Sequence, residues 1–368
     1  MIIRLRDYTG EYRVVSLAFC DDVKDDLLAD ELDFIYVTDS EVTLYPDNLK
    51  LTEEETLIRQ LMQAHNYDVY ELEEDGRLSE YYDDSSVDNY FFVTGRCNSN
   101  CIMCPSPDAS RRNAKGRKID NLIEIAKHIP EDTAHLTITG GEPFMVGDEI
   151  FRFFEFLRNK FEETEFLFLT NGRIFAISSY VERFINNMPY NSIVAIPLHG
   201  STAENHDAIT QASKSFAQTV LGIKNLLRNR VRVELRIVVS KLNAGDIGDI
   251  AKLIVDDFPT VEYVSIMAME MTGSARVNKE RVWIPYTEAA RCIDEAVYVL
   301  INNGIDVKLY NFPLCAVRKE FWPLCEKSIS PDKVRYAEAC AACIMKDSCG
   351  GIFAGTISME KDELRAIV

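Results

Sequence analysis

The chain has 368 residues, of which 59 are acidic and 40 are basic, and 47% are hydrophobic. This length and composition predict a globular protein with one barrel-sized domain and additions at its ends. No apolar run approaches the roughly 18 residues of a membrane span, and the first residues are charged instead of forming an apolar signal segment. We therefore expect a soluble cytoplasmic protein with no membrane partner.

The negative charge is concentrated near the N-terminus. Residues 20–88 contain 22 Asp or Glu and 4 Lys or Arg, a net charge of −18, whereas the whole chain carries −19. This acidity opposes nucleic-acid binding, which needs a basic surface, so no nucleic-acid partner is expected. It favours a basic peptide, which long-range attraction would steer toward the segment.

Residues 1–88 are predicted to form a small acidic α+β module. Strands are expected at 12–17 and 34–37, where β-branched and aromatic residues dominate. A helix is expected after residue 51, because Thr52 and Glu55 have the spacing of a capping box. Residues 81–86 are predicted to be a linker.

From residue 89 onward, predicted strands and helices alternate in six units. Strands are expected at 90–94, 136–139, 165–170, 193–198, 231–240 and 261–267, and helices at 120–128, 149–160, 178–187, 215–229, 246–257 and 286–303. Repeated right-handed crossovers of this kind build a parallel sheet. The pattern alone allows either a doubly wound sheet or a partial barrel.

Three cysteines follow the first strand of this series. Cys97, Cys101 and Cys104 have the spacing C-x3-C-x2-C. Ten cysteines in a chain with no export signal favour metal ligation over disulfides. Thiolates suit an iron–sulfur cluster or zinc, and three on a four-iron cluster leave one iron open. A structural zinc knuckle is the alternative, although no Cys or His follows Cys104 until His128.

A second motif, Gly140-Gly141-Glu142-Pro143, ends the second strand. The two glycines allow a ligand to approach the backbone closely, and Glu142 offers a carboxylate to a cation. The two motifs in this order resemble those of the radical SAM (S-adenosylmethionine) superfamily, over roughly residues 89–303.

This resemblance implies a partial (β/α)6 barrel and a [4Fe-4S] cluster held by the three-cysteine motif. It implies that SAM binds the open iron, and that one electron from an external donor yields a 5′-deoxyadenosyl radical. Glu142 would accept a hydrogen bond from the amine of SAM. The other implied cofactor contacts are Gly140, Gly141, Ser201, Arg236, Asn243 and Met103, the last at a position that is often aromatic in the superfamily.

A second group of cysteines lies near the C-terminus. Cys340, Cys343 and Cys349, with Cys315 upstream, offer four thiolates, enough for a second cluster or for zinc. The group resembles a shortened form of the auxiliary-cluster extension of peptide-modifying radical SAM enzymes, which implies an auxiliary [4Fe-4S] cluster. Cys325 is an alternative ligand to Cys315. The isolated Cys20 and Cys292 are expected to be buried small residues.

The pattern of residues 311–315, 321–324 and 327–330 before these cysteines resembles the radical SAM maturases of the His-Xaa-Ser peptide system. This implies a ribosomally made precursor peptide as substrate, a crosslink or related change as the outcome, and a second radical SAM protein as partner. The expected domains are 1–88 for substrate or partner recognition, 89–304 for the radical SAM core and 305–368 for the auxiliary cluster.

Two other functions remain open at this point. The first is a radical SAM enzyme that acts on a small metabolite or RNA, with the C-terminal cysteines structural or relaying electrons. The second is a scaffold whose cysteines hold zinc. His199, Tyr310 and Cys325 are conceivable donors of a final proton or hydrogen atom.

Overall fold

The computed structural model describes residues 2–6, 8–106, 111, 117–360 and 362–368. These residues form a seven-stranded sheet near the N-terminus, an eight-stranded sheet after it and a two-stranded ribbon near the C-terminus. No helix in these ranges is both long and apolar enough to cross a membrane.

The first sheet belongs to the acidic segment. Its strands are β1 (Ile2–Arg4), β2 (Arg13–Ala18), β3 (Phe34–Val37), β4 (Val42–Tyr45), β5 (Leu49–Thr52), β6 (Val69–Leu72) and β7 (Arg77–Tyr82). They are hydrogen-bonded in the order β1-β7-β6-β2-β3-β4-β5, with β2 and β3 parallel and the other pairs antiparallel. Two helices complete this part of the chain, α1 (Asp21–Ala29) and α2 (Glu55–Leu61).

The second sheet is parallel throughout. Its strands are β8 (Tyr90–Phe92), β9 (His135–Thr139), β10 (Glu165–Leu169), β11 (Ser192–Pro197), β12 (Arg232–Val239), β13 (Tyr263–Ala268), β14 (Val307–Tyr310) and β15 (Cys325–Glu326). They pair in sequence order from β8 to β15, and the sheet is curled with two open edges. The predicted fold class, a partial α/β barrel after an acidic α+β module and before a Cys-rich extension, is confirmed.

Helices follow the strands of this sheet. They are α3 (Ile119–His128), α4 (Ile150–Lys160), α5 (Ser178–Asn187), α6 (Ala203–Thr210), α7 (Ser215–Arg228), α8 (Ile247–Asp257), α9 (Gly273–Val277), α10 (Lys279–Val282), α11 (Tyr286–Cys292) and α12 (Asp294–Asn302). The C-terminal part adds the ribbon strands β16 (Val334–Arg335) and β17 (Ile352–Phe353), and helix α13 (Ile357–Glu360). Short 3₁₀ helices occupy Pro143–Val146, Arg173–Ala176, Lys319–Leu324, Glu338–Ala342 and Lys346–Ser348.

Alternation along each strand separates the two faces of the sheet. In β12, Val233, Leu235 and Ile237 are buried in the main hydrophobic core with the helices, whereas Glu234 and Arg236 point to the other side. We call this other side the open face. It carries Tyr90, Phe92, His135, Thr137, Leu167, Leu169, Ala195, Glu234, Arg236, Val238, Tyr263, Ser265, Lys308 and Tyr310.

Three local predictions were wrong. The long helix expected at 286–303 is two helices, α11 and α12, separated at the fully buried Ile293. Thr52 ends β5 and does not cap α2; its hydroxyl accepts a hydrogen bond from the Glu54 N–H at 3.0 Å, so the capping box is not formed. The expected linker at 81–86 begins inside β7.

The acidic segment packs directly on the barrel. Glu71 pairs with both terminal nitrogens of Arg117, the second at 2.7 Å. The Ser16 hydroxyl lies 3.0 Å from Nδ1 of His128 on α3. Val14, Val69 and Tyr82 are part of the same hydrophobic core as the barrel. The predicted boundary at residue 88 therefore separates two sheets that share buried contacts, and it stays a prediction.

Candidate active site at the carboxyl ends of the strands

The three predicted cluster ligands lie on one loop, residues 94–104, which we call the Cys loop. It follows β8 and is held by the end of α6, because the Asn100 N–H donates to the Thr210 carbonyl at 2.9 Å. The Cys104 N–H donates to the Cys101 carbonyl at 3.1 Å, which turns the chain between these two ligands. The loop thus gathers its thiols at the carboxyl edge of the sheet.

The electrostatics of the Cys loop disfavour thiolates in the absence of a metal. Burial raises the pKa of Cys97, and it raises the pKa of Cys101 to about 12, with the neighbouring thiols adding to the rise. The positive charge of Arg111 opposes both shifts. A thiol of this kind loses its proton when its sulfur binds a metal, so deprotonation is coupled to metal binding.

The spacing of the thiols bears on the kind of metal site that they can form. Across the residues that the structure describes, the three sulfur atoms do not form a group within 4.8 Å of one another. Thiolates around one zinc ion lie within that range, because each is about 2.3 Å from the metal. The thiolates of a cluster bind separate iron atoms and lie further apart. The three thiols of the Cys loop therefore fit an iron–sulfur cluster.

Gly140 and Gly141 lie against the start of the Cys loop. The Gly141 N–H donates to the Thr94 carbonyl at 2.6 Å, and the Glu142 N–H donates to the Arg96 carbonyl at 2.8 Å. A Cβ on Gly140 would lie 2.5 Å from the Thr94 oxygen, and one on Gly141 would lie 2.5 Å from the Arg96 oxygen. Both positions require glycine in this structure because the backbone of the Cys loop packs directly against them.

Glu142 is the buried carboxylate of this site. Its Oε1 accepts a hydrogen bond from the Thr170 hydroxyl at 2.8 Å, and its Oε2 accepts one from the Asn171 N–H at 2.7 Å. Burial raises its pKa to about 7, although these bonds and the charge of Arg173 oppose the rise. A cation that binds Glu142 would favour the ionised form and lower the pKa again.

Arg236 is on the open face of β12, with its charge already paired. Its Nε donates to Oε1 of Glu234 at 2.7 Å and its Nη2 donates to Oε2 at 3.1 Å. Glu234 is fully buried, and its Oε2 also accepts a hydrogen bond from the Tyr263 hydroxyl at 3.3 Å. The bidentate pair fixes the plane of the guanidinium group.

Two predicted SAM contacts lie at neighbouring strand ends: Ser201, expected at the ribose or the carboxylate, and Asn243, expected at the ribose. The Ser201 N–H and hydroxyl donate to Asp246 at 2.7 and 2.5 Å. Asn243 is fully buried; its Oδ1 accepts from the Ser240 N–H at 2.8 Å and its Nδ2 donates to the His199 carbonyl at 3.2 Å. These bonds fix the loops around the site, and the contact of either residue with a ribose stays a prediction.

Met103 belongs to an apolar cluster beside the Cys loop. It is buried together with Ile102, Met269 and Met271, and Val238 from the open face packs against them. The cluster gives the carboxyl edge of the sheet an apolar wall. The contact of Met103 with the adenine of SAM stays a prediction.

The structure brings the four predicted auxiliary ligands to one place. Cys315, Cys340, Cys343 and Cys349 line a single small cavity. The Cys349 sulfur accepts hydrogen bonds from the N–H groups of Leu314 and Gly351 at 3.4 Å, and the Cys343 sulfur accepts one from the Ile367 N–H at 3.4 Å. Backbone N–H donors of this kind stabilise metal-bound thiolates.

The remaining cysteines lie elsewhere. Cys325 does not line this cavity; its S–H donates to the Phe321 carbonyl at 3.6 Å, and burial raises its pKa to about 12. Cys20 is exposed, so the prediction of a buried position was wrong for it, because it precedes α1 at the surface. Cys292 is partly buried.

Two further residues at the site were not found from the sequence. Arg173 donates to the Asn98 carbonyl at 2.7 Å and to the Ser99 hydroxyl at 3.1 Å, and so fixes the first part of the Cys loop. Arg111 donates to the Ser274 hydroxyl at 2.9 Å. Arg173 closely follows the third strand of the sheet, and this position at a strand end could have identified it as a site residue. The sequence around Arg111 contains no comparable signal.

The candidate hydrogen donors differ in their surroundings. His199 is buried, and burial lowers its pKa to about 3, so its ring is neutral at physiological pH. Tyr310 lies on the open face, and burial raises its pKa to about 12. Tyr310 is therefore the candidate that faces the same side of the sheet as Arg236.

Comparison with solved structures identifies the fold. Streptococcus suis SuiB bound to its precursor peptide SuiA aligns with a TM-score of 0.50 and 11% identity, over 62% of this chain and 49% of that chain. SuiB bound to S-adenosylmethionine aligns with a TM-score of 0.50 and 12% identity, over 61% and 50%. The enzyme anSMEcpe with bound AdoMet and Cp18Cys peptide gives 0.47 and 16%, over 60% and 62%. The chain thus spans about half the length of SuiB, and at these identities the likeness concerns the fold alone.

Comparison of sequences supplies the family. No curated protein matches the chain. Residues 91–254 match the family described as the Radical SAM superfamily, whose members use a [4Fe-4S] cluster and SAM. The resemblance inferred from the two motifs is thereby confirmed, and so are these two cofactors: residues 91–254 form a radical SAM domain.

Proposed function

We propose that this radical SAM enzyme cleaves SAM reductively and uses the radical to modify, by crosslinking, a ribosomally synthesised precursor peptide. The observation that carries the proposal is the packing of the Cys loop on Gly140 and Gly141, with Glu142 buried beside it. This packing gathers three thiols and a carboxylate at the carboxyl ends of β8 and β9. Barrels of parallel strands carry their active sites at this edge.

The Cys loop would hold the cluster through Cys97, Cys101 and Cys104. The Ser99 N–H donates to the Cys97 sulfur at 3.4 Å, a bond that favours a thiolate ligand. The charge of Arg111 stabilises negative charge at the same place. Three ligands leave one iron open, which is the position that SAM needs.

Two charged groups would orient SAM. Glu142 would accept a hydrogen bond from the amine, and Arg236, held flat by Glu234, would face the carboxylate. When bound and reduced by one electron, SAM supplies a 5′-deoxyadenosyl radical. Gly140 and Gly141 would keep Glu142 at the edge of the Cys loop.

The adenosine part of SAM would lie against the neighbouring strand ends. Met103 and Val238 form the apolar wall on which the adenine would pack and from which water is excluded. Ser201 and Asn243 are the proposed ribose contacts, each on a loop that is fixed by its own hydrogen bonds.

The open face supports an extended substrate. Tyr90 is 53% exposed and Phe92 is 38% exposed, and both lie on the strand that leads to the Cys loop. Exposed aromatic side chains next to a polar pair such as Glu234 and Arg236 can bind both the apolar and the polar groups of a peptide. SuiB, whose fold is similar, is bound to its precursor peptide in the solved structure, and this supports a peptide as the substrate here.

The C-terminal cysteines would bind an auxiliary [4Fe-4S] cluster. Cys315, Cys340, Cys343 and Cys349 would occupy all four irons, so this cluster would have no open position for substrate. Its role would then be to relay electrons or to stabilise the extension, and not to bind the peptide.

The acidic module would bind a basic part of the substrate or of a partner. A cavity of about 700 Å³ lies between the module and the barrel. Asp26, Asp30 and Asp84 line it from the module side, and Asp132 and His135 from the barrel side. Because His135 begins β9, the cavity adjoins the amino end of the sheet.

The same proposal includes two protein partners and a cytoplasmic location. The resemblance to the maturases supports a second radical SAM protein as partner. The one-electron step requires an external donor. Ten unpaired cysteines are compatible with the reducing cytoplasm, where thiols stay available as ligands.

The peptide assignment is tested by mass spectrometry. The anaerobic enzyme, SAM and reductant are incubated with the candidate precursor peptide, and with a metabolite pool and RNA in parallel. A crosslink predicts a loss of hydrogen from the peptide mass that requires SAM. A mass change in the metabolite or RNA fraction alone would contradict the peptide assignment while leaving the radical SAM chemistry intact.

A further inference from the structure

The apolar cluster beside the Cys loop continues into the segment that follows β13. Met269 and Met271 are buried in this segment against Ile102 and Met103 of the Cys loop. Residues 269–271 lie outside any helix or strand. Their backbone groups therefore need partners from other parts of the chain, because a buried amide without a hydrogen bond destabilises the fold.

Two buried side chains supply such partners. The Tyr286 hydroxyl donates to the Met269 carbonyl at 2.8 Å, and the Met271 N–H donates to the Thr356 hydroxyl oxygen at 3.2 Å. Tyr286 is 1% exposed, and Thr356 is fully buried. Tyr286 begins α11, whereas Thr356 precedes α13 in the Cys-rich extension. The backbone of the cluster is thus fixed by two segments that are distant in sequence.

Helix α13 also fixes Tyr286. The Glu360 Oε1 accepts a hydrogen bond from the Tyr286 N–H at 2.7 Å. Glu360 is fully buried, and its Oε2 has no hydrogen-bond partner among the residues that the structure describes. Met359, one position earlier, packs against the same apolar cluster as Met103. The extension therefore reaches the cluster directly through Thr356 and Met359, and indirectly through Glu360.

The same part of the extension carries a proposed auxiliary ligand. Cys349 is followed by Gly351, whose N–H donates to the Cys349 sulfur at 3.4 Å, and then by β17, which pairs with β16. At the end of β17, the Thr356 N–H donates to the Phe353 carbonyl at 2.9 Å. A short, hydrogen-bonded stretch of chain thus connects the auxiliary site with Thr356.

We propose that Thr356 and Glu360 are positioning residues that set the affinity of the enzyme for the adenosine part of SAM. This inference rests on the proposed function, which places the adenine against the apolar wall that contains Met103. Thr356 holds the Met271 backbone and Glu360 holds Tyr286, so together they fix the wall where it meets the extension. Each residue acts through the wall and not by contact with SAM.

The test measures the two halves of SAM separately by calorimetry. The anaerobic, iron-loaded and unreduced protein is titrated with SAM, with 5′-deoxyadenosine and with L-methionine, so that no turnover occurs. The two adenosine ligands need the wall, whereas methionine needs only the open iron, Glu142 and Arg236. The variants are Thr356→Val and Glu360→Ala, with Thr356→Ser and Glu360→Gln as the conservative changes.

Exposed positions in the same stretch of chain supply the matched controls. They are Ser358→Ala on α13 and Asp362→Asn shortly after it. The iron content of every variant is measured first, because both metal sites have to be filled before the binding constants are compared.

Thr356→Val and Glu360→Ala are expected to weaken the binding of SAM and 5′-deoxyadenosine about tenfold and to leave methionine binding unchanged. Thr356→Ser and Glu360→Gln retain a hydrogen-bond acceptor and should bind all three ligands as the unaltered protein does. The two controls should do the same.

Unchanged SAM affinity in Thr356→Val and Glu360→Ala would overturn the proposal. An equal weakening of methionine binding would also overturn it, because a general loss of structure would then explain both effects. Failure of the unaltered, iron-loaded protein to bind SAM or methionine would instead overturn the proposed function, since no variant enters that measurement.

Discussion

At the scale of single residues, Gly141 tests the contact that holds the site together. Gly141→Ala would place a Cβ 2.5 Å from the carbonyl oxygens of Gly95 and Arg96, so the Cys loop has to move. We expect the variant to lose the iron bound at this loop and to keep the iron of the C-terminal site. Iron and sulfide analysis after anaerobic reconstitution measures this. Gly245→Ala is the matched control, since its Cβ would meet nothing within 4 Å, and an equal iron loss in both variants would contradict the expectation.

Glu142 gives the site a dependence on pH. Burial raises the pKa of Glu142 from 4.5 to about 7, so the protonated carboxyl stabilises the folded state relative to the ionised one. This contribution to the free energy of unfolding is complete below pH 4.5 and is lost as the pH rises through 7. The amine of SAM requires the ionised carboxylate, so SAM affinity should have the opposite trend and increase from pH 6 to pH 8.

Glu142→Gln should weaken SAM binding and flatten this increase, whereas the exposed Glu163→Gln should do neither. Binding isotherms of the reconstituted protein at both pH values measure the difference. A pH trend that persists unchanged in Glu142→Gln would assign it to another group.

At the scale of elements, the helices depend on an aromatic cluster that fixes them on the sheet. Phe154 on α4 is fully buried, and its ring contacts Phe144, Phe168 and Phe184 at centroid distances of 6.0, 5.1 and 6.0 Å. Phe154→Ala should lower the free energy of unfolding by about 3–5 kcal/mol, measured by urea titration. Leu221→Ala, at a 44% exposed position on α7, should change it by less than about 0.5 kcal/mol. Similar losses in both would contradict the role of the cluster.

The same scale shows what the sequence could predict. The helices α4 and α5 and the strands β9 to β13 have periodic apolar residues, and their predicted bounds agree with the structure within a few residues. The two added strands β14 and β15 have four and two residues, too short for a periodic signal. In the sheet, β14 is placed by its pairing with β13 and β15 by its pairing with β14, and the local sequence pattern contains neither contact.

The residues of the candidate site also fall into two groups, those in local sequence motifs and those placed by tertiary contacts. Cys97, Cys101 and Glu142 could be named as candidates from the sequence because their motifs are local in sequence. The contacts of Arg111 with Ser274, 163 residues away, and of Arg173 with Ser99, 74 residues away, arise from tertiary packing. The bidentate bond between Glu234 and Arg236 needed side-chain geometry, although the two residues are neighbours on one face of β12.

At the scale of the whole molecule, the acidic module and the barrel share a core and enclose the 700 Å³ cavity. Deleting the module would uncover Phe91 and its neighbours in that core. Point variants that remove single negative charges are therefore the sharper test. The double variant Asp30→Asn and Asp132→Asn should weaken precursor-peptide binding about tenfold at low salt, with a smaller effect at high salt.

The matched control for this prediction is Asp39→Asn with Asp256→Asn, two exposed positions that do not line the cavity. Fluorescence anisotropy of labelled peptide measures binding in both pairs. Equal weakening in the two pairs would mean that general charge, and not the cavity, attracts the peptide. SAM cleavage without peptide should be the same in the control pair and in the unaltered protein.

The central claim is that the Cys loop supports reductive cleavage of SAM. The direct test is the formation of 5′-deoxyadenosine from SAM under anaerobic conditions with dithionite. The unaltered protein is compared with a variant in which Cys97, Cys101 and Cys104 are changed to Ala. Turnover in the first and none in the second is the predicted result. Equal turnover in both, or a reconstituted protein that holds zinc in place of iron and forms no 5′-deoxyadenosine, would contradict it.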